Sequence, residues 1–140
     1  MTEDEPNRGR ILVFNVSDTR TFKLIAEKEI KGAPYSLEAF NGRLLVSVNN
    51  KIQLFKWVDT DDGGKEIFAE ASHHGHVIAL YLRSRGDFIL VGDIIKSVSL
   101  LLYKPVDGII EDVSEPVSFA YLLVITLVGI RLLRISVPMP

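Results

Sequence analysis

The sequence contains no cysteine among its 140 residues, so it forms neither disulfide bonds nor zinc sites built on thiolates. It also lacks a run of lysine and arginine, and its net charge is −2. That balance does not favour direct contact with nucleic-acid phosphates. The acidic, polar start MTEDEPNRGR does not match a secretory signal, so we expect a chain that begins in the cytosol or nucleus. Its composition, 47% hydrophobic and 24% charged, indicates a globular chain of one domain.

No stretch before residue 114 shows the 3.6-residue spacing of apolar side chains that is typical of an amphipathic helix. The chain instead alternates short apolar segments with turn residues, a pattern that favours an all-β fold. Asn41-Gly42 predicts a type I′ hairpin turn because both residues accept a positive φ, and Asn49-Asn50 and Arg85-Gly86 predict two further turns. The predicted strands are 10–16, 23–30, 34–40, 43–48, 51–58, 66–72, 76–82, 87–92 and 96–104.

A repeat of about four strands distinguishes among the all-β folds. Phe14, Phe55 and Tyr103 each end a similar apolar segment, and they lie 41 and 48 residues apart. Gly42 and Gly86 belong to two further similar segments, NGRLLVSV and RGDFILVG, at an offset of 44 residues. Such a period is the length of one β-propeller blade, although the Trp-Asp dipeptide of WD repeats is missing. We therefore expect a partial β-propeller of two four-stranded blades, preceded by one strand of another blade.

The chain divides by composition into three parts. We expect an acidic disordered lead over residues 1–9, a partial β-propeller over 10–113 and a hydrophobic tail unrelated to the blades over 114–140. The tail has 15 uncharged residues between Glu115 and Arg131. As a helix they would span roughly 22 Å, less than a hydrocarbon core of about 30 Å. A membrane anchor is therefore the minor alternative, and a buried or aggregation-prone end is the main one.

Two long segments resemble a known family. They are AEKEIKGAPYSLEAFNGRLLVSVNNKIQLFKW (26–57) and HHGHVIALYLRSRGDFILVGDIIKSVSLLLYKP (73–105), and the start EDEPNRGRILVF (3–14) extends the likeness. The resemblance is to the DNA damage-binding protein 1 family in its plant-like form, and the related cleavage and polyadenylation factor A subunit is less similar. After residue 114 the sequence departs from the family pattern. We interpret the tail as a foreign end, such as translated intron sequence.

The resemblance implies both a fold and a function. In the family this region lies in the third of three propellers of a non-catalytic adaptor, which serves a cullin–RING ubiquitin ligase in DNA repair and protein ubiquitination. The implied partners are the substrate receptors of the ligase, with nucleic acid contacted only through them and no membrane. The implied location is the nucleus, with a cytoplasmic pool. Two alternatives stay open: a nucleic-acid-binding or mRNA 3′-end-processing factor of the same family, and a tail-anchored membrane protein with a β domain.

Trp57 is the residue that we single out for binding. Gln53, Phe55 and Trp57 share one face of a predicted strand because they follow one another at period two. A tryptophan at the rim of a propeller is a frequent anchor of protein interfaces, and the equally weighted alternative is that it packs between blades. Tyr35 and Tyr81 are weaker candidates that we expect in the core.

Few side chains offer catalytic or metal-binding chemistry. His73, His74 and His76 lie close together, but no carboxylate or cysteine lies nearby at a matching spacing, so we predict no metal site and no cofactor. Asp87 and Asp93 each follow a glycine, which suits a capping role in turns better than a catalytic pair. No set of nucleophile, base and orienting group can be assembled, and we do not expect an enzyme.

Overall fold

The computed structural model describes residues 6–76, 78–94, 97–113 and 117–118. Every element in these ranges is a β-strand, which confirms the all-β prediction. The start of the expected acidic lead and most of the expected tail, including the candidate membrane anchor, lie outside the described residues. The division of the chain at residues 9 and 113 therefore stays a prediction.

The strands form three antiparallel sheets that follow chain order. Their bounds are β1 Gly9–Val16, β2 Phe22–Ile30, β3 Pro34–Phe40, β4 Arg43–Val48, β5 Lys51–Asp59, β6 Lys65–His74, β7 Ala79–Arg85, β8 Phe88–Asp93, β9 Ser97–Lys104, β10 Ile109–Asp112 and β11 Val117–Ser118. We refer to the sheets as the N-terminal hairpin (β1–β2), the first blade (β3–β6) and the second blade (β7–β11). β10 and β11 pair with successive parts of β9 and together form the outermost strand of the second blade.

Two apolar cores join the sheets, one on each face of the first blade. Because successive side chains of a strand point to opposite faces, Leu45 and Leu54 face the second blade, whereas Val46 and Phe55 face the N-terminal hairpin. All four side chains are buried. The inter-blade core comprises Phe40, Leu45, Ile52, Leu54, Ala79, Leu82, Ile89, Val91, Leu101, Tyr103 and Ile110. The hairpin core comprises Ile11, Ala26, Ile30, Val46, Val48, Phe55 and Ile67.

Hydrogen bonds of side chains and turn residues align β3 with β7, the first strand of each blade, which we call the innermost strand. A carboxylate oxygen of Glu38 on β3 accepts hydrogen bonds from the backbone N of Ser84 on β7 (3.1 Å) and from its hydroxyl (3.3 Å). Asn41 Nδ2 donates to the carbonyl oxygen of Gly86 (3.2 Å) and to Asp87 Oδ1 (3.0 Å). The β3–β4 turn of the first blade is thereby fixed to the β7–β8 turn of the second.

Among the described strands, four carry a β-bulge, and each of these four lies at the edge of its sheet. The extra residues are Ile25 in β2, Tyr35 in β3, Glu70 in β6 and Leu80 in β7. The ladders between β4 and β5 and between β8 and β9 run without interruption. A bulge bends an edge strand and discourages its pairing with another chain. Tyr35 and Leu80 occupy equivalent places in the two blades, each after the first residue of the innermost strand.

The bulge in β6 aims a carboxylate at the junction of the blades. Glu70 accepts hydrogen bonds from Arg43 on β4, and this contact raises the pKa of the Arg43 guanidinium above its ordinary value. The guanidinium lies 5.6 Å from the ring centroid of Tyr103 on β9, a distance that allows a cation–π interaction. Burial raises the pKa of the Tyr103 hydroxyl, so the ring stays neutral beneath the cation.

The turns follow the sequence prediction with one shift. Asn41 and Gly42 have φ angles of 47° and 75°, which confirms the type I′ signature, and Asn49 also adopts a positive φ of 49°. The third turn lies at Gly86-Asp87 rather than at Arg85-Gly86, because Arg85 still pairs with Phe88. The backbone requires the glycine here, since Gly86 has a φ of 58°.

The prediction of one strand before the first blade is wrong. The sheet before the first blade has two strands, β1 and β2, because β10 supplies the fourth strand of the second blade. β10 escaped the sequence analysis since Ile109–Asp112 has only two apolar residues before Glu111 and Asp112. The two complete blades, the central part of the prediction, are confirmed.

Candidate interaction surface

The three residues singled out for binding share a face but differ in exposure. Gln53, Phe55 and Trp57 lie on the side of β5 that faces the N-terminal hairpin, as the period-two spacing requires. Phe55 is 2% exposed and belongs to the hairpin core, and Gln53 is half-buried. Trp57 is 38% exposed, so it is the member of this set that offers a large apolar surface to a partner. Their role in binding stays a prediction.

Trp57 lies where β5 leaves the core and enters an acidic loop. It pairs with Ile67 of β6, which is buried, so its neighbour across the strand pair is apolar. The loop is closed by two backbone hydrogen bonds, from Thr60 N to the carbonyl oxygen of Gly64 and from Gly63 N to that of Thr60. Asp61 and Asp62 in it are exposed. An exposed indole beside carboxylates suits a partner segment with an apolar side chain next to a lysine or arginine.

The outer face of the N-terminal hairpin is an apolar surface that the sequence analysis did not single out. Five large apolar side chains lie on it and are 44–74% exposed, namely Leu12, Phe14, Val16, Phe22 and Leu24. They face away from the hairpin core because they alternate with buried Ile11 and half-buried Val13. The ion pair between Arg10 and Glu27, 2.9 Å long and exposed, lies at its border. The sequence signal that could have predicted this surface is the apolar character of both sets of alternating residues in β1, since one set faces the hairpin core and the other faces outward.

The expectation that Tyr35 and Tyr81 belong to the core is wrong. Tyr35 is 38% exposed and Tyr81 is 50% exposed. Tyr35 is the extra residue of the bulge in β3, so its side chain does not follow the regular alternation between the two faces of that strand. Tyr81 pairs with Gly92, which has no side chain to cover the ring. Both tyrosines therefore add aromatic surface to the innermost strands of the blades.

The two aspartates considered for catalysis lie at opposite ends of one strand. Asp87 belongs to the β7–β8 turn and accepts the hydrogen bond from Asn41. Asp93 ends β8 and is buried. Six residues of extended chain separate their Cα atoms by about 20 Å, so the two carboxylates cannot act on the same atom of a substrate.

The three histidines do not converge on one point. His73 and His76 contact each other, with 3.2 Å between His73 Nδ1 and His76 Nε2, whereas His74 is exposed. Within the described ranges, no group of three or more histidine, cysteine, aspartate or glutamate side chains is arranged to hold a metal ion. The prediction of no cofactor stays a prediction.

An open cleft of about 810 Å³ lies beside the start of β1. It is lined by residues 6–10 and 29–32 and by Asn49, whose Nδ2 donates to the carbonyl oxygen of Pro6 at 3.2 Å. The cations Arg8, Arg10 and Lys31 line it together with Glu29. The mixture of both signs of charge gives the cleft no clear preference for an anionic or a cationic ligand.

Comparison with known proteins connects these blades to a family. The model of the CPSF A subunit region matches residues 1–118. The chain belongs to this family. The match reaches across both blades and the N-terminal hairpin, and it ends at the last residue of β11.

Three curated relatives within this similarity are plant proteins. The chain is 62% identical over 110 residues to DNA damage-binding protein 1a of Arabidopsis thaliana, 59% over 111 residues to DNA damage-binding protein 1 of Solanum lycopersicum and 57% over 113 residues to that of Oryza sativa subsp. japonica. These matches cover 79–81% of the chain and 10% of each relative. The chain therefore spans about a tenth of the length of these relatives, and the resemblance to DNA damage-binding protein 1 is confirmed.

The candidate membrane anchor lies outside the described residues. Over the described part of the chain, no helix is long and apolar enough to cross a membrane.

Proposed function

We propose that the chain serves as a non-catalytic protein-interaction module, as part of an adaptor that holds substrate receptors in a cullin–RING ubiquitin ligase. The observation that carries this proposal is the identity of 57–62% to DNA damage-binding proteins 1 over the 110–113 aligned residues. The fold of the described residues agrees with such a role, because rigid blades hold exposed aromatic side chains in fixed positions.

The candidate contact surface is the rim around Trp57. A half-exposed tryptophan next to a buried isoleucine can bury a large area on binding without losing many rotamers. Fewer than a third of the residues in an interface usually carry most of its energy, and tryptophan is enriched among them. We therefore expect Trp57 to contribute more to receptor binding than exposed tyrosines elsewhere on the blades.

Nucleic acid enters this function only through the partner protein. The chain has a net charge of −2 and 16 basic residues against 18 acidic ones. Contacts with phosphates supply most of the affinity of non-specific binding, and this composition offers no surplus of cations for them. The proposed location is the nucleus with a cytoplasmic pool, by analogy with the DNA damage-binding proteins.

The proposal is tested by titrating a purified, fluorescently labelled substrate receptor with the purified chain. We expect saturable binding, and we expect Trp57→Ala to weaken it by tenfold or more, since loss of an aromatic anchor costs about 2 kcal/mol or more. Tyr81→Ala serves as the matched control, because Tyr81 is an exposed aromatic residue of the second blade. It should leave the affinity within about twofold.

Two results would contradict different parts of this proposal. Absence of binding by any substrate receptor, with a chain that shows the far-ultraviolet circular dichroism of a β protein, would remove the adaptor function. Receptor binding that Trp57→Ala and Tyr81→Ala leave equally strong would keep that function but remove the Trp57 surface.

A second candidate is a role in mRNA 3′-end processing, favoured by the CPSF A subunit name of the matching family model. It predicts that the chain binds a protein subunit of a cleavage and polyadenylation complex, or RNA itself, more tightly than a substrate receptor. Competition between the two proteins for the labelled chain separates the candidates. RNA binding that falls steeply with salt concentration would favour the nucleic-acid alternative.

A further inference from the structure

Four titratable side chains meet where the outer strands of the two blades come together. We call them the inter-blade histidine cluster: His73 at the end of β6, His76 in the connection to β7, Asp93 at the end of β8 and Asp112 at the end of β10. His73 Nε2 lies 3.0 Å from Asp112 Oδ2, and His73 Nδ1 lies 3.2 Å from His76 Nε2. A continuous chain of hydrogen bonds therefore links the outer strand of one blade to that of the other.

For two neutral imidazoles, the chemistry of the hydrogen-bond partners determines which ring nitrogens carry the protons. An ionised carboxylate only accepts hydrogen bonds, so His73 Nε2 donates to Asp112. In a neutral imidazole the other nitrogen is then an acceptor, and His76 Nε2 must donate to His73 Nδ1. If both imidazoles are neutral, this is the arrangement that satisfies both contacts, and it assigns one tautomer to each ring.

Protonation affects the two histidines unequally. A proton on His73 can be accommodated if His76 changes tautomer and accepts from His73 Nδ1. With both imidazoles protonated, two N–H donors and two positive charges face each other across 3.2 Å, and no hydrogen bond can form between them. The contact is thus compatible with at most one proton beyond the neutral state.

The surroundings of His76 oppose its protonation. The residue is 4% exposed, and burial, followed by the charge of His73, lowers the pKa of His76 below its ordinary value. From neighbouring elements of the described chain, Asp112 on β10 and Asp93 on β8 act in the opposite direction. The lowered pKa indicates that burial and His73 outweigh the two carboxylates.

We propose that the inter-blade histidine cluster is a pH-sensitive contact between the blades, closed while at most one of the two imidazoles is protonated and opened when both are protonated in mildly acidic conditions. Opening would separate β10 from β6 and loosen the outer side of the inter-blade junction. The apolar contacts of Leu45 and Leu54 lie deeper and carry no titratable group, so they would keep the blades together.

The direction of the pH dependence follows from proton linkage. In the opened or unfolded chain His76 has its ordinary pKa of about 6.5, whereas in the closed state the pKa is lower. The closed state therefore binds fewer protons, and its stability is complete above about pH 6.5 and falls as the pH decreases below that value. Uptake of one proton raises the opening constant by up to tenfold per pH unit.

The backbone amide of residue 76 donates to the carbonyl oxygen of Asn50 (3.4 Å), so it is protected while His76 stays in the junction. Its hydrogen exchange between pH 8 and pH 5, corrected for the intrinsic exchange rate, measures this opening constant. In the unsubstituted chain we expect it to rise by up to tenfold per unit below about pH 6.5. His76→Gln keeps a donor to His73 Nδ1 but does not titrate, so its profile should be flat. His74→Gln is the control at an exposed neighbouring position, and its pH profile should be the same as that of the unsubstituted chain.

Asp112→Asn is a second variant, at a position whose side chain is 63% exposed. The amide oxygen still accepts from His73 Nε2, but the charge that raises the pKa of His76 in the closed state is lost. The rise in opening should therefore begin at the same pH of about 6.5, continue to a lower pH and reach a larger value than in the unsubstituted chain. A flat profile in His76→Gln and a larger acid-induced opening in Asp112→Asn would support the contact. If either variant shows the same pH profile as the unsubstituted chain, the proposal is wrong.

Discussion

The two faces of the first blade are joined to their neighbours in different ways. On one face, the inter-blade core is closed by an edge-to-face contact between Phe40 and Tyr103, whose ring centroids lie 5.7 Å apart. The hydrogen bonds that Glu38 accepts and Asn41 donates reinforce this contact at β3, β7 and their turns. On the other face the hairpin core is smaller, and a cation–π contact of Lys28 with Phe68 lies at its outer edge, 5.3 Å from the ring centroid.

The difference shows what a blade needs from its surroundings. The first blade is covered on both faces, and its central strands β4 and β5 place apolar side chains on both sides. The N-terminal hairpin is covered on one face, and its other face exposes Leu12, Phe14, Val16, Phe22 and Leu24. We therefore expect the first blade, with two covered faces, to be more stable than the N-terminal hairpin, with one covered face.

The first test of this comparison concerns self-association. Because the outer face of the hairpin is apolar, we expect the purified chain to form oligomers or to be poorly soluble. Each large apolar side chain left exposed forgoes about 1.5–3 kcal/mol of burial, so Phe22→Ser should weaken self-association by roughly tenfold or more. Sedimentation velocity over a range of concentrations measures this.

Tyr81→Ser is the control for that experiment, because Tyr81 is exposed on the second blade and away from the hairpin. It should leave the oligomeric state unchanged. The expectation is wrong if the unsubstituted chain is a monodisperse monomer with one sharp unfolding transition. The uncovered face of the hairpin would then not destabilise the chain, and the two faces of the first blade could not be ranked by stability.

The next effect compares the same substitution at a covered and an uncovered position. Leu54 is fully buried in the inter-blade core, whereas Leu12 is 44% exposed on the hairpin. Leu54→Ala should lower the free energy of unfolding by about 2–5 kcal/mol, and Leu12→Ala should change it by no more than about 0.5 kcal/mol. Urea unfolding monitored by the fluorescence of Trp57, the one tryptophan of the chain, provides both values. Similar losses for the two variants would contradict the assignment of the cores.

The smallest effect concerns the hydrogen bonds between the turns of the two blades. Asn41→Ala removes the donor to Gly86 and Asp87 and places an alanine at a φ of 47°, which should cost about 1–2 kcal/mol. Asn41→Gly also removes the donor but accepts the positive φ, so its cost isolates the hydrogen bonds. If urea unfolding shows that glycine restores full stability, the bonds between the turns contribute nothing to the junction.

The strand pattern was predictable because apolar residues alternate or cluster between turn dipeptides along most of the chain. The blade repeat was visible since Gly42 and Gly86 recur with similar neighbours. The fourth strand of the second blade was not predictable from its own residues, because Ile109–Asp112 is short and half charged. It is a strand because β9 offers it a partner, which is a tertiary effect that a local pattern does not contain.

The candidate site was predictable in part. Period two correctly placed Phe55 and Trp57 on one face, but it could not tell that the hairpin covers Phe55 and leaves Trp57 half-exposed. Tyr35 was misplaced because a bulge is invisible in the sequence. The contact between His73 and Asp112 joins residues 39 positions apart, and such a pairing depends on how the blades stack.

The bulge at Glu70 also has a consequence for how the length of the chain can vary. Ile67 faces the hairpin core, whereas Ala71 and His73 face the second blade, although all three have odd numbers and an unbroken strand would place them together. Deletion of residue 70 would therefore regularise the ladder and leave each neighbour on its present face. The deletion would remove the partner of Arg43 and the bend of the edge strand, but it would keep the register of both blades, so we expect the fold to tolerate a one-residue deletion at position 70.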